Sequence, residues 1–160
     1  MKIADVHAHV FPEKLAVKAA GSIGQFYGAE MYCEASMERL VAEEEKAGVS
    51  RYVISSSAVV PKQVRSIVEF LAEARKGHPE CISFGSIYPG MDGYEEVLDE
   101  LQALGSRGLK IHPDFQKLPI DDPSGIETYR AIARRGLPVL MHMGDNRYDF
   151  SSPERLTNLI

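Results

Sequence analysis

The stretch DVHAHVFP, residues 5–12, closes the first apolar run of the chain and carries two histidines separated by one residue. In a β-strand, residues i and i+2 point to the same face. His7 and His9 are therefore predicted to project into one space, where both imidazoles can reach a single divalent cation. The alternative is that the two rings are hydrogen-bonded side chains at a strand end. We favour the cation, because burying two histidines together with Asp5 is costly unless the groups are paired.

Short apolar runs alternate with longer segments of helical period along the rest of the chain. Strands are predicted at residues 2–9, 51–57, 81–88, 107–113 and 137–144, and helices at 36–49, 61–77, 92–105 and 122–136, with a last helix beginning near 151. The four complete helices end at glycines that suit short connections, namely Gly48, Gly77, Gly105 and Gly136. This alternation predicts an α/β fold built from parallel βαβ units.

The predicted strands end in polar or metal-binding side chains, in the order His-Ala-His, Ser-Ser-Ser, Ser-Ile-Tyr, Lys-Ile-His and His-Met-Gly-Asp. A TIM barrel places its chemistry at the C-terminal ends of its strands, whereas a doubly wound sheet concentrates ligand contacts at one switch point. We therefore expect a TIM (β/α)8-type barrel, of which about five βα units are present in this chain.

The segment between the first strand and the next helix, residues 11–35, is predicted to be a long loop over the barrel mouth. Within it, GSIGQFYG at 21–28 lacks the lysine and the serine or threonine of a phosphate-binding loop, and it is interpreted as part of the loop. Its aromatic residues either shape substrate entry or pack against the surface; they are Phe26, Tyr27 and Tyr32.

Composition and charge narrow the classes of partner. The chain has 160 residues, which suits a single domain spanning 1–160. Its net charge of −5 and its scattered lysines and arginines argue against nucleic acid as a partner. No apolar stretch has the length of a signal peptide or a membrane span, so we expect a cytoplasmic protein without membrane contact. Cys33 and Cys81 fit no CxxC pattern and are expected to be free thiols.

The sequence assigns different roles to two histidines outside the first strand and to an acidic run. His142 follows an apolar run at the same predicted rim as His7 and His9, which favours a metal ligand over a core histidine. His78, at a helix end, is interpreted as a surface residue. The run EEEK at 43–46 is interpreted as a solvated helix face.

Lys110 and His112, in the fourth predicted strand, share a face and are expected to reach the pocket. For Lys110, a clamp for an anionic substrate is favoured over a carboxylated bridging ligand or a solvated lysine. For His112, a metal ligand, a substrate contact and a structural histidine before Pro113 are equally open.

Three motifs, DVHAHVFP, GLKIHP and LPVLMHMGD, together resemble the amidohydrolase superfamily of metal-dependent TIM barrels. Within it, the chain looks like the amidohydrolase-2 branch, which includes aminocarboxymuconate-semialdehyde decarboxylase. The resemblance implies a divalent metal, most often zinc, bound by His7, His9 and His142. Imidazole ligands also suit Mn, Fe, Co and Ni. The family takes a further histidine from its sixth strand and an aspartate from its eighth, so the nearby candidates for proton transfer in this chain are Asp145 and His112.

The resemblance implies a metal-dependent hydrolase that uses a metal-activated water on a small, carboxylated substrate. A decarboxylase or hydratase on the same metal scaffold is the first alternative. The second is a non-catalytic, incomplete barrel that binds a metal or a partner. Exposed edges of a partial barrel also predict a homo-oligomer that covers them.

Overall fold

Five parallel strands form one sheet in the computed structural model, which describes residues 2–160. The strands are β1 (Ile3–His9), β2 (Val49–Ser55), β3 (Cys81–Ser86), β4 (Gly108–Ile111) and β5 (Val139–Met141). They lie in the sheet in their order along the chain, each paired in parallel with the next. The sheet curls into part of a TIM barrel, which confirms the predicted fold class.

Helices connect the strands, as a parallel sheet requires. They are α1 (Glu13–Tyr27), α2 (Met37–Ala47), α3 (Val64–Ala74), α4 (Tyr94–Ala103), α5 (Pro113–Gln116), α6 (Ile126–Arg134) and α7 (Pro153–Leu159), with 3₁₀ turns at Pro61–Gln63 and Pro123–Gly125. Local signals set their ends. In α2, the Ser36 side chain accepts a hydrogen bond of 3.1 Å from the Arg39 N–H, and the helix ends at Gly48 with a left-handed φ of 72°.

The apolar core lies between the sheet and the helices that cover it. Its larger cluster of buried residues consists of Ala58, Val64, Val68, Ile87, Val97, Leu98, Leu101, Leu109, Ile111, Ala131 and Ile132. A second cluster, under α2 and α3, consists of Val10, Tyr52, Ile54, Leu71 and Cys81. Burial of one such leucine or isoleucine stabilises the fold by roughly 1.5 to 3 kcal/mol. The core therefore holds the strands so that their C-terminal ends share one rim.

Residues 13–27 form helix α1, so the prediction of a long loop over 11–35 is wrong for most of that segment, including 21–27. The buried positions of α1 are Ala16, Ala20 and Gly24, which recur every four residues and therefore lie on one face. Only Gly28 is outside the helix, where it provides the left-handed C-cap with a φ of 64°. Glycines within the segment weaken its helical signal, because each costs about 1 kcal/mol relative to alanine.

The acidic run at 43–46 is only partly a solvated face, because Glu44 is 8% exposed and is thus buried. Glu45 and Lys46 are exposed, as expected. Burial, followed by the nearby carboxylate of Asp5, raises the pKa of Glu44 to about 6. Helical periodicity predicts that some position of the run turns inward, and tertiary packing of α2 selects Glu44.

The remaining expectations about surface and redox state agree with the structure. Cys33 and Cys81 are free thiols. His78 is partly exposed, and its Nδ1 lies 3.1 Å from a carboxylate oxygen of Glu80. Among residues 2–160, none of the helices combines the length and the apolar character that a membrane crossing needs.

Candidate functional site

An open cleft of about 930 Å³ lies at the C-terminal ends of the strands, and four histidines line it. His7 and His9 belong to the end of β1, His112 follows β4 and His142 follows β5. Parallel strands of a barrel end at one rim, which is why residues far apart in sequence meet here. The structure thus places the three histidines that the sequence assigns to a metal around one cleft, along with His112. Among the described residues, the group whose ligand atoms all lie within 4.8 Å of one another is instead His112, Asp114 and His142.

The two histidines of β1 converge, as their i, i+2 spacing predicts. Their Nε2 atoms lie 3.1 Å apart, with ring centroids separated by 5.0 Å. Asp5 fixes the backbone below them, since its Oδ1 accepts a hydrogen bond of 2.8 Å from the N–H of His7. Burial, followed by the charges of Lys110 and His7, lowers the pKa of His9 to about 4. His9 is therefore neutral at pH 7 and keeps a nitrogen lone pair for a ligand or a hydrogen bond.

His112 and His142 stack in parallel across the rim, with ring centroids 3.9 Å apart and an interplanar angle of 9°. Phe115 stacks on the other face of His112, at 3.6 Å and 4°. The Nδ1 atom of His112 accepts a hydrogen bond of 3.3 Å from the backbone N–H of Phe115 and so caps α5. Burial, followed by the charges of His142 and Lys110, lowers the pKa of His112 to about 2. The ring is neutral and held on both faces.

Asp114 places a carboxylate beside these rings. Its side chain is fully buried, and its Oδ2 lies 3.9 Å from Nε2 of His142. Within residues 2–160, neither of its carboxylate oxygens has a hydrogen-bond partner. Burying an ionised carboxylate without a partner costs several kcal/mol of folding free energy. Potential ligand atoms of His112, Asp114 and His142 lie within 4.8 Å of one another. Imidazoles beside an unsatisfied carboxylate are a donor set that fits a divalent cation.

Lys110 and Asp145 are placed differently from the histidines, since neither is among the described residues that line the cleft. The Lys110 side chain is fully buried, and its Nζ has no hydrogen-bond partner among residues 2–160. Burial lowers the pKa of Lys110 to about 8. Asp145 faces Arg147, with contacts of 2.9 Å to Nε and 2.5 Å to Nη2, and these hydrogen bonds lower the pKa of Asp145 to about 2.

The family model described as amidohydrolase matches residues 4–160, which is nearly the whole chain. The chain belongs to the amidohydrolase family. No curated protein matches this amidohydrolase chain in sequence.

Solved structures similar to the amidohydrolase chain share its fold. One is 5-carboxyvanillate decarboxylase of Novosphingobium aromaticivorans with bound manganese, at 15% identity and a TM-score of 0.70, covering 90% of this chain and 51% of that one. Another is the apo IDCase of Metarhizium anisopliae, at 15% identity and a TM-score of 0.69, covering 88% and 50%. A third is a probable 2-pyrone-4,6-dicarboxylic acid hydrolase of Acinetobacter baumannii with citric acid bound, at 17% identity and a TM-score of 0.60, covering 89% and 49%. The amidohydrolase chain spans about half the length of these proteins.

Two further residues belong to the candidate site: Asp114, which the sequence does not assign to it, and Tyr27, for which the sequence leaves substrate entry and surface packing open. Asp114 follows His112 and Pro113 at the exit of β4, and a carboxylate two residues beyond a rim histidine is the signal that identifies it. Tyr27, at the end of α1, places its hydroxyl 2.9 Å from Nε2 of His112 and 3.4 Å from Nε2 of His142. Tyr27 therefore lines the site, whereas Tyr32 is 84% exposed.

Proposed function

We propose that this chain is part of a metal-dependent hydrolase, in which His7, His9 and His142 hold a divalent ion and a small, carboxylated molecule is the substrate. The observation that supports the proposal is that the paired histidines of β1, His142 and the unsatisfied carboxylate of Asp114 all line one cleft. Burial supports the ligand role, because it lowers the pKa of His7, His9 and His142. Neutral imidazoles are the form that binds a metal.

A bound divalent ion lowers the pKa of water from about 15.7 to near 7 and polarises a substrate carbonyl. The chain supplies the surroundings for that chemistry. Aromatic side chains of α1 and α5, Phe26 and Phe115, contact each other and line one side of the cleft, where they would limit the access of water. We expect zinc, and Mn, Fe, Co and Ni suit the same ligands. The manganese in the Novosphingobium aromaticivorans enzyme supports testing that metal beside zinc.

Proton transfer is assigned to Asp145 or His112, and substrate binding to Lys110, and all three assignments stay predictions. The ion pair with Arg147 keeps Asp145 ionised at neutral pH and makes it a weak base. The buried ammonium of Lys110 lowers the pKa values of all four rim histidines. Its charge would also attract an anionic substrate toward the rim.

Decarboxylation is the second candidate function. Two observations favour it: the fold is shared with 5-carboxyvanillate decarboxylase, and Lys110 places a positive charge close to the histidines. Two assays distinguish the reactions. Release of carbon dioxide from carboxylated aromatic substrates would indicate decarboxylation, and cleavage of carboxylated lactones or amides would indicate hydrolysis. A hydratase is tested on the same substrates by the gain of water.

The deciding experiment is the metal content of the purified chain, measured by elemental mass spectrometry after loading with zinc or manganese. We expect about one ion per chain in the wild type and none in the His7→Ala, His9→Ala double variant or in His142→Ala. His78→Ala is the matched control and should hold as much metal as the wild type. Equal metal content in all four proteins would refute the proposed site, and a metal-free wild type would favour a non-catalytic barrel.

Self-association is the remaining proposal about partners. Within the described part of the chain, β1 and β5 each pair with one neighbour, so each has an edge whose backbone groups face outward. We expect two copies to cover these edges. Light scattering coupled to size exclusion would give a dimer mass, and a monomer mass at all concentrations would contradict the expectation.

A further inference from the structure

The hydrogen bond that caps α5 determines where His112 carries its hydrogen. A neutral imidazole has one N–H donor and one nitrogen lone pair. The lone pair of Nδ1 is used by the backbone N–H of Phe115, 3.3 Å away. The hydrogen of His112 is therefore on Nε2, the atom that faces the cleft.

Packing prevents the ring from turning over. His112 is 3% exposed and lies between two parallel rings, Phe115 at 3.6 Å and His142 at 3.9 Å. Turning the ring over would put Cδ2 in the place of Nδ1 and Cε1 in the place of Nε2, which would break the cap of α5 and leave the N–H of Phe115 unsatisfied. The structure thus favours one tautomer in one orientation.

The Tyr27 hydroxyl connects His112 to His142 by hydrogen bonds. The Nε2–H of His112 donates to the Tyr27 hydroxyl at 2.9 Å, and that hydroxyl keeps its own hydrogen for Nε2 of His142 at 3.4 Å. The chain of hydrogen bonds runs from the Phe115 backbone through His112 and Tyr27 to His142. It leaves Nε2 of His142 without a hydrogen, which is the form a metal ligand needs, and a bound ion would displace the Tyr27 hydrogen from that lone pair.

We infer that His112 is a fixed, neutral hydrogen-bond donor that presents its Nε2–H to an oxygen atom, and that it is not a metal ligand. In this structure that oxygen is the Tyr27 hydroxyl. A substrate oxygen would take its place only if the proposed function holds, whereas the tautomer is independent of it. Proximity alone would group His112 with Asp114 and His142, since their ligand atoms lie within 4.8 Å. A cation on Nε2 would move the hydrogen to Nδ1, where it would point at the N–H of Phe115. Two donors would then face each other.

The chemistry that such a donor recognises is an oxygen with full or developing negative charge, such as a carboxylate or the oxygen of a polarised carbonyl. The residue therefore complements the proposed metal on the substrate instead of adding a ligand to it. Because Nε2 already carries a hydrogen and Nδ1 accepts a hydrogen bond from Phe115, His112 cannot accept a proton at the cleft.

Nitrogen NMR of the ¹⁵N-histidine-labelled chain tests the tautomer directly, with His112→Asn assigning the signal. Asparagine at this position can still cap α5 through its side-chain oxygen, so the variant is expected to fold. We expect a protonated Nε2 and an unprotonated Nδ1 for His112, both retained when zinc is added, while Nε2 of His142 shifts. A protonated Nδ1, or a zinc-induced shift of Nε2 in His112, would overturn the inference.

Zinc binding by the same variants gives a second, independent measurement. His112→Asn should keep the wild-type stoichiometry with less than about a tenfold change in affinity, the smallest effect usual for groups outside the ligand set. His142→Ala should lose the ion. Loss of zinc from a folded His112→Asn protein would make His112 a ligand and end the inference. If the wild type itself binds no zinc, the proposed function fails, and the NMR result still decides the tautomer.

Discussion

The guanidinium carbon of Arg147 lies 4.5 Å above the ring of Phe26, and so joins the loop after β5 to the end of α1. Arg147 also donates a hydrogen bond to the backbone carbonyl of Phe26 and pairs with Asp145. This contact holds α1 over the cleft, because α1 crosses the rim where its last residue, Tyr27, meets His112.

Replacing Arg147 by alanine is expected to loosen α1. The cation–π contact and the partly exposed ion pair both hold Arg147 against α1. Amide hydrogen exchange at the C-terminal turn of α1 should accelerate, as measured by mass spectrometry. Arg130→Ala is the control, because Arg130 pairs with Glu127 on an exposed helix face. Unchanged exchange in α1 of Arg147→Ala would show that Arg147 does not hold the helix.

Glu44→Gln is expected to stabilise the protein above pH 6. Burial raises the pKa of Glu44 to about 6, from an ordinary value of 4.5, so the folded state holds this proton more tightly than the unfolded state. Its contribution to stability is present at low pH and is lost as the pH rises through 6. Glutamine should therefore gain up to about 2 kcal/mol near pH 8 and almost nothing near pH 4. Urea unfolding at both pH values measures the difference, with the exposed Glu45→Gln as the control. A gain independent of pH would contradict this account.

Lys110→Met is expected to stabilise the metal-free protein at neutral pH. Burial lowers the pKa of Lys110 to about 8, so the folded state disfavours the charged form. The cost is largest below pH 8 and disappears as the pH rises past the ordinary value near 10.5. Methionine should add roughly 1 to 3 kcal/mol near pH 7, and the gain should shrink toward pH 10. Thermal unfolding in the presence of a chelator measures it, beside Lys62→Met at an exposed position. A loss of stability would indicate that Lys110 has a partner in solution.

Gly90 and Gly77 offer a matched test of backbone contact, because both have a φ of 81°. A Cβ at Gly90 would lie 2.7 Å from the carbonyl oxygen of Ser124, whereas a Cβ at Gly77 would meet nothing within 4 Å. Gly77→Ala should cost about 1 to 2 kcal/mol, which is the penalty of the left-handed region for alanine. Gly90→Ala should cost clearly more, because the new Cβ would push the loop after β3 away from the 3₁₀ turn that precedes α6. Equal losses in denaturant unfolding would mean that the two turns separate freely.

Most of the sheet could be predicted from sequence, because its signals are local. Apolar runs, helical periodicity and the glycines after helices each depend on a few neighbouring residues, and they identify all five strands and helices α2, α3, α4 and α6. The rim histidines follow from the same logic, since parallel strands end together. Helix α1 could not be predicted, because its glycines lower the helical propensity of the segment. Packing of its buried face against the rest of the chain stabilises the helix, and that packing cannot be seen in the local sequence.

Buried charged residues were harder to predict than the histidines of the candidate site. The burial of Glu44 depends on how α2 packs against the sheet, where Glu44 lies beside Asp5. The isolation of the Asp114 carboxylate depends on the step from β4 into α5. Both are consequences of contacts between residues distant in sequence. The pairing of Asp145 with Arg147 is local, but the anchoring of Arg147 on Phe26 joins segments more than a hundred residues apart.

The sheet order places β1 and β5 at opposite ends of the row, although both contribute histidines to the rim. An ion held by His9 and His142 would therefore act as a cross-link that closes almost the whole chain into a single loop. Closing a loop of that length removes several kcal/mol of chain entropy from the unfolded state, as a disulfide between the same positions would. If the proposed ion binds there, metal loading should make unfolding more cooperative from β1 to β5, and the ion would stabilise the fold in addition to its proposed chemical role.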